Sequence, residues 1–285
     1  MKLATLRVDG ATRAVRVDGD ILIDLGRPDV GAVLAQHHWR QHAAAADITT
    51  AKTYPTQGAE FATLVPHPSK VVCVGLNYRR HIQEMGRVLP THPTLFAKFA
   101  DTLTGPSDDI IRPTESAEFD WEVELAVVIG TSVHRARGAD AEAAIAGFTI
   151  LNDLTCRDWQ FRTREWLQGK IWQATTPVGP YLVTPDDLPG GARPALNLRL
   201  LVDGEIMQSD TTADLLFDPV ALVEYISTTV RLNPGDIIAT GTPGGVGHAR
   251  NPQRFLCGGE RVVAEIDGLG RLDNRIIGTA PEAGT

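Results

Sequence analysis

Cysteine is scarce in this chain. Three thiols, Cys73, Cys156 and Cys257, stand far apart among 285 residues, and no C-x-x-C pair occurs, which argues against a zinc knuckle or a redox dithiol. Each lies in or beside an apolar run, where a reduced core or near-core thiol is the ordinary reading. Long apolar runs are missing as well. No stretch reaches the roughly 18 residues of a membrane-spanning helix, and VELAVVIG is far too short. The opening MKLATLRVDG carries Lys2, Arg7 and Asp9 and no apolar segment, so it does not read as a signal peptide, and a cytoplasmic location is expected. Basic residues are outnumbered, 27 against 35 acidic, for a formal net charge of −8, and no Lys/Arg-rich block exists. Neither nucleic acid nor a membrane is therefore an expected partner. An anionic substrate is still permitted, because a bound metal or a few basic groups reverse the local field. Nucleotide and esterase motifs are absent too. No GxGxxG follows an opening strand, Gly169-Lys170 lacks the upstream glycines and following hydroxyl of a P-loop, and there is no G-x-S-x-G elbow.

What the chain has in quantity is turn-formers, 27 Gly and 18 Pro, dispersed without period or low-complexity blocks. With 43% hydrophobic residues, the length supports one large domain or two unequal ones. Residues 1–60 read as a small first domain: three β-like runs separated by Asp-Gly turns, one helix over 29–46, and a polar connection over 47–60. His37, His38 and His42 on that helix lack a carboxylate or cysteine to complete a metal set and read as surface. From Phe61 to residue 285 the texture changes to a second, larger domain. VVCVG reads as a buried strand, 79–86 as a short helix, and FDWEVELAVVIG as a strand passing from a wet rim into a core. Residues 140–147 read as a helix, FTILND as a strand, 218–229 as a helix with Pro219 in its first turn, and Asp203-Gly204 as a hairpin turn. Strands outnumber helices and seldom alternate with long ones, so a strand-dominated α+β fold is expected rather than a doubly wound sheet.

Three patterns carry chemistry. Residues 115–124 hold five acids, Glu115, Glu118, Asp120, Glu122 and Glu124. Glu122 and Glu124, two apart on a strand, share one face. Converging carboxylates repel unless a cation or a proton lies between them, and Asp153 at the polar end of FTILND is a plausible third oxygen ligand for Mg²⁺, Mn²⁺ or Ca²⁺. On spacing alone, an edge strand whose acids merely face water is the commoner reading. His81 and Glu84, three apart on a helical turn, have the spacing of an imidazole oriented by a carboxylate, and equally that of an ordinary surface pair. TGTPGGVG, residues 240–247, allows close backbone approach to a carboxylate or phosphate, or forms a tight structural turn.

The ordered blocks GLNYRRHIQEMG, FAKFADTLTGP, FDWEVELAVVIG, NDLTCRDWQ, WLQGK, TPVGPYLVT, PGDIIATGTPGGVG and IDGLGRLDN closely resemble the fumarylacetoacetate hydrolase superfamily. The match runs over about residues 66–276. The resemblance implies a mixed β roll as the catalytic domain, preceded by a small N-terminal α+β domain, usually in a homodimer. It implies one Mg²⁺ or Mn²⁺ held by Glu122, Glu124 and Asp153, a lid dyad of His81 and Glu84, and a catalytic Lys170. Tyr78, Arg157, Asp158 and Gln160 would line the pocket, Thr242 would meet the substrate carboxylate, and Lys98 would lie near the site. Arg79, Arg80, Arg162 and Arg164 are candidates for selecting a distal carboxylate. The implied reaction is hydrolysis of an acylpyruvate, such as fumarylpyruvate, to pyruvate and a carboxylic acid, with a 2-oxo acid as the small-molecule partner. Oxaloacetate decarboxylation and isomerisation of 2-hydroxyhepta-2,4-diene-1,7-dioate share the same enolate. A non-catalytic metabolite-binding protein is the alternative outside enzymes.

Overall fold

The computed structural model describes residues 1–84 and 86–278. Strands dominate, arranged in an eleven-stranded sheet, a five-stranded sheet and a two-stranded pair, which is the expected α+β class. The large sheet is built around Val123–Ile129, a strand buried along its whole length. It pairs antiparallel with Ile145–Asn152 on one side and with Ile237–Ala239 on the other. Beyond Ile237–Ala239 come Val71–Gly75, in parallel, and then Thr94–Lys98 at the edge. Side-chain alternation sorts the central strand between two cores. Leu125, Val127 and Ile129 join Phe148, Val223 and Ile226 on one face, while Ala126 and Val128 join Val30, Leu34 and Trp39 on the other.

The first strands continue the same sheet. Lys2–Val8 pairs antiparallel with Thr176–Val183, and Ala11–Asp18 and Ile21–Asp24 follow in order. The five-stranded sheet runs Glu205–Thr211, Asn197–Val202, Arg261–Ile266, Gly270–Ile277 and Ile110–Ile111, with the hairpin turning at Asp203-Gly204 as expected. Pro219–Thr229 is the longest helix described; Asp218 caps it, its carboxylate accepting from the Ala221 N–H, and Pro219 occupies the first turn.

Four local expectations need correction. The helix over 29–46 is two, Val30–Leu34 and Trp39–Ala45, because Ala35 closes the first and His38 takes a left-handed φ of 57° that redirects the chain to bury Trp39. The connection over 47–60 contains an edge strand, Thr53–Pro55, whose proline is tolerated there. The helix over 140–147 is confined to Ala139–Ala143, since the strand begins at Ile145 and Gly147 crosses the Val183 backbone, where a Cβ would lie 2.3 Å from the Val183 carbonyl oxygen. Lastly, residues 119–130 have no wet rim: all are buried, acids included.

Candidate active site

Antiparallel pairing places the start of one strand beside the end of its neighbour. Val123 pairs with Asn152, so Glu122 and Glu124 at the start of the central strand meet Asp153 at the end of the next. Backbone and side-chain bonds fix the junction: the Asp153 N–H donates to the Glu122 carbonyl (2.9 Å), and the Glu122 N–H donates to Asn152 Oδ1 (2.9 Å). One oxygen from each of Glu122, Glu124 and Asp153 lies within 4.8 Å of the others. Their exposures are 7%, 2% and 0%, so the reading of acids facing water is excluded. Burial, then repulsion from Asp153 and Glu122, pushes the Glu124 carboxyl well above its ordinary range, although the Gly241 N–H donates to it at 2.7 Å. Three buried oxygen donors with this mutual repulsion suit a hard divalent cation such as Mg²⁺ or Mn²⁺.

Three cations surround the carboxylates. Lys170 Nζ lies 2.8 Å from Glu122 Oε2 and 2.8 Å from Asp153 Oδ2. Lys98 Nζ lies 2.6 Å from Asp153 Oδ1 and also donates to the Lys170 carbonyl. Burial alone would raise the Asp153 carboxyl, but Lys170 and Lys98 outweigh it and hold it below the usual range. Arg157 donates from Nε to Asp120 (2.8 Å) and from Nη1 to Glu122 (2.7 Å) and Gln160 Oε1 (3.0 Å). Its Nη2 is buried with no protein partner, a donor left for an anion. With a divalent ion bound and all four carboxylates ionised, counting Asp120, the three cations and the ion would leave one net positive charge.

The chain after Val71–Gly75 forms the opposite wall. Asn77 anchors its turn, donating to the Phe217 and Thr240 carbonyls (3.0 and 2.8 Å) and accepting from the Phe217 N–H (2.8 Å). The helix Arg79–Glu84 then brings His81 and Glu84 to Gly244 of the glycine loop, where a Cβ would lie 3.3 Å from His81 Nδ1 and 3.2 Å from Glu84 Oε2. Burial lowers the His81 pKa, with Glu84 opposing, so the imidazole is neutral at neutral pH.

A cavity of about 360 Å³ joins these parts, with His81, Glu122, Glu124, Arg157, Lys170 and Thr242 on its wall. Gln160 also lines it. Asp153 and Lys98 lie behind that wall as partners of Lys170. Tyr78 is fully buried with an unpartnered hydroxyl and does not line the cavity. Asp158 is also off it: its carboxylate accepts from Ser116 Oγ (2.6 Å) and the Ala117 N–H (3.2 Å), tying two loops together. The Thr242 hydroxyl has its hydrogen committed to the Val123 carbonyl (2.9 Å) and accepts from Gln208 Nε2 (2.8 Å), so it presents a lone pair rather than a donor. The proposed arginine selectors stand elsewhere. Arg79 binds the Leu216 carbonyl, Arg80 pairs with Asp210 and Asp214, Arg162 stacks on Trp159, and Arg164 does not reach the cavity wall.

Sequence reasoning missed several contributors. Gln208 joins the glycine loop to Val123; Asp120 accepts from the Gly247 and His248 N–H groups; Arg87, Trp166 and His248 line the outer cavity. Asp120 belongs to the acid run of the sequence, where spacing assigns it no role; the others have no spacing signal, since each is a lone side chain whose partner is remote in sequence.

Comparison with known proteins identifies the family. The family described as Fumarylacetoacetate (FAA) hydrolase C-terminal matches residues 70–277. The chain belongs to that family. It is 43% identical, over 224 residues, to the mitochondrial oxaloacetate tautomerase Fahd2a of Rattus norvegicus, covering 78% of this chain and 71% of the relative. Among solved structures it resembles fumarylacetoacetate hydrolase from Exiguobacterium antarcticum, with TM-score 0.88, 30% identity and coverage of 98% and 100% of the two chains. It also resembles maleylpyruvate hydrolase from Sphingobium sp. SYK-6 in complex with manganese(II) and pyruvate, with TM-score 0.81, 26% identity and coverage of 98% and 100%. The three relatives named above are enzymes, and among the described residues no helix is long and apolar enough to cross a membrane.

Proposed function

We propose that this family member is a divalent-metal-dependent enzyme that interconverts the keto and enol forms of a 2-oxo acid, with oxaloacetate as the substrate. The observation that carries this reading is a neutral, half-buried His81 sharing one cavity with three buried carboxylates and an unpartnered Arg157 donor. A divalent ion held by Glu122, Glu124 and Asp153 would supply the Lewis acid that steadies negative charge on the 2-oxo oxygen. His81 takes a proton from carbon 3; the electron pair of that C–H bond becomes the carbon 2–carbon 3 double bond as the carbonyl π pair moves onto the 2-oxo oxygen. Return of the proton from the imidazolium to that oxygen gives the enol, so atoms and charge balance without water or a leaving group. The nearby Glu84 charge offsets the transient charge on the imidazolium, while Arg157 Nη2 and Lys170 bind and orient the substrate anion. The similarity to an oxaloacetate tautomerase supports this choice of substrate.

Acylpyruvate hydrolysis is the second reading, supported by the resemblance to maleylpyruvate hydrolase over nearly the whole chain. There His81 would deprotonate water, which attacks the distal carbonyl; collapse of the adduct breaks the C–C bond and leaves pyruvate enol and a carboxylic acid. One experiment separates the two. With Mg²⁺ or Mn²⁺ present, oxaloacetate and a panel of acylpyruvates are followed by ultraviolet absorbance and by mass in ¹⁸O-water. Tautomerisation changes oxaloacetate absorbance without changing mass or releasing CO₂. Acylpyruvate cleavage with ¹⁸O in the released acid, and no effect on oxaloacetate, would replace the first reading with the second.

A further inference from the structure

Of the four arginines nominated from sequence, three are engaged elsewhere and Arg164 does not reach the cavity wall, yet the cavity does contain an exposed cation. Arg87, just after the His81 helix, lines the same cavity as Lys170 and Arg157 and makes no ion pair among the described residues. Its charge is felt at His81, where it opposes protonation. The inner cavity, with one divalent ion in place, has one net positive charge, enough to balance a single carboxylate. A second carboxylate on the substrate would need a further cation, and Arg87 is the one on the wall that is not already matched by an acid.

His248 stands on the same outer wall, held from three sides. Its backbone N–H donates to Asp120 Oδ2 (3.0 Å), its ring lies 5.1 Å from the Phe161 ring, and Gln253 Nε2 reaches both its carbonyl (2.9 Å) and its Nδ1 (3.2 Å). An amide nitrogen only donates, so Nδ1 must accept. The ring proton of the neutral imidazole is thereby fixed on Nε2, making that atom a hydrogen-bond donor. Neither Arg87 nor His248 takes part in the proton transfer described above.

We propose that Arg87 and His248 form an outer anion site that makes the cavity select 2-oxo dicarboxylates over 2-oxo monocarboxylates. The inference rests on the 2-oxo acid reading of the inner site and adds a specificity determinant to it. Arg87 supplies the charge and a planar donor set suited to a carboxylate, and His248 supplies a neutral donor of fixed tautomer.

The test compares oxaloacetate with 2-oxobutanoate, which has a methyl group in place of the distal carboxylate. Binding to the Mn²⁺-loaded protein is read from the fluorescence of Trp166 and its neighbours and by calorimetry, with KM and kcat for oxaloacetate measured alongside. The wild-type protein should favour oxaloacetate by at least about tenfold, the scale of one charge-assisted contact. Arg87→Met should remove most of that preference through Kd and KM rather than kcat, Arg87→Lys should restore part of it, and His248→Leu should reduce it by about threefold. Affinity for 2-oxobutanoate should stay within about twofold throughout, which also reports that the variants are folded. A wild-type protein that binds neither ligand would overturn the 2-oxo acid reading and this proposal with it. Equal wild-type affinity for the two ligands, or a wild-type preference retained by the Arg87→Met/His248→Leu double variant, would overturn the outer site alone.

Discussion

His81 owes its chemistry to burial. Removal from water disfavours the imidazolium, and Glu84 only partly reverses this, so the folded pKa lies below the ordinary 6.5. The base form is therefore present at neutral pH, and the acid limb of kcat/KM should fall below pH 6.5. A bound cation moves it further in the same direction. Glu84→Gln removes the larger of the two carboxylate influences that raise the pKa, the other being Glu122, so its limb should move lower still, and the rate should drop as the transient imidazolium loses a counter-charge. His81→Gln should retain metal binding, measured by calorimetry, and lose about 10²–10⁴-fold in kcat. Asp153 is a different case, because Lys98 and Lys170 both depend on it. Asp153→Ala leaves two buried ammonium groups under-compensated and should cost about 3–5 kcal/mol in denaturant unfolding of the metal-free protein, as well as abolishing metal binding. At this scale a two-residue strand spacing and a polar strand end mark the acids, but spacing alone favours acids facing water, and the family resemblance carries the metal reading. Gln208 and Arg87 are not legible, because what they meet is remote in sequence.

Short connecting elements, more than regular ones, set the geometry of the candidate site. The glycine loop is pinned beneath by Gln208, whose amide accepts from the Val123 N–H (3.0 Å) and donates to Thr242 and Pro243. Above it, Gly244 leaves just enough room for His81 and Glu84. A methyl group at Gly244 would force these side chains back by a few tenths of an ångström, since contacts of 3.2–3.3 Å are tighter than van der Waals packing permits. Gly244→Ala should therefore lower kcat by about tenfold with little change in unfolding midpoint, the signature of displaced rather than lost groups. Gln208→Leu should instead destabilise, by about 1–3 kcal/mol, because the buried Val123 N–H and the Pro243 carbonyl lose their partner. Glycine-rich composition identified the loop as a place of close approach, but not what approaches it. The same limit explains the helix broken at His38: apolar spacing continued through it, and only the left-handed backbone that buries Trp39 reveals the break.

At the scale of the whole molecule, the candidate active site lies where the eleven-stranded sheet brings together distant segments of the chain. Lys2 pairs with Val183, and Val71–Gly75 with Ile237–Ala239. Strand-dominated α+β character was legible from alternation and turn residues, whereas these pairings leave no mark within any one segment. The folded sheet gathers carboxylates that would stand far apart in an unfolded chain, and this links stability, metal and pH. Glu124 is held above its ordinary 4.5 by burial and by Asp153 and Glu122, so the metal-free fold retains a proton that the unfolded chain releases. Its stability should thus decline as pH rises from about 4.5 through the raised folded value. Asp153, shifted downward, contributes stability that is lost only as pH falls through its lowered value, below the ordinary 3.8, and so leaves that window undisturbed. A divalent ion takes Glu124 as the carboxylate and displaces the proton, so metal affinity should increase over the same window. With Mg²⁺ or Mn²⁺ at a hundred times its Kd, the gain is about 2.7 kcal/mol. Thermal unfolding at fixed metal concentration should accordingly show a rise in midpoint that grows as pH increases from about 4.5 through the raised Glu124 value, and Glu124→Gln should remove both the rise and its pH dependence. A rise that does not change with pH across that window would mean that Glu124 is already ionised in the metal-free fold.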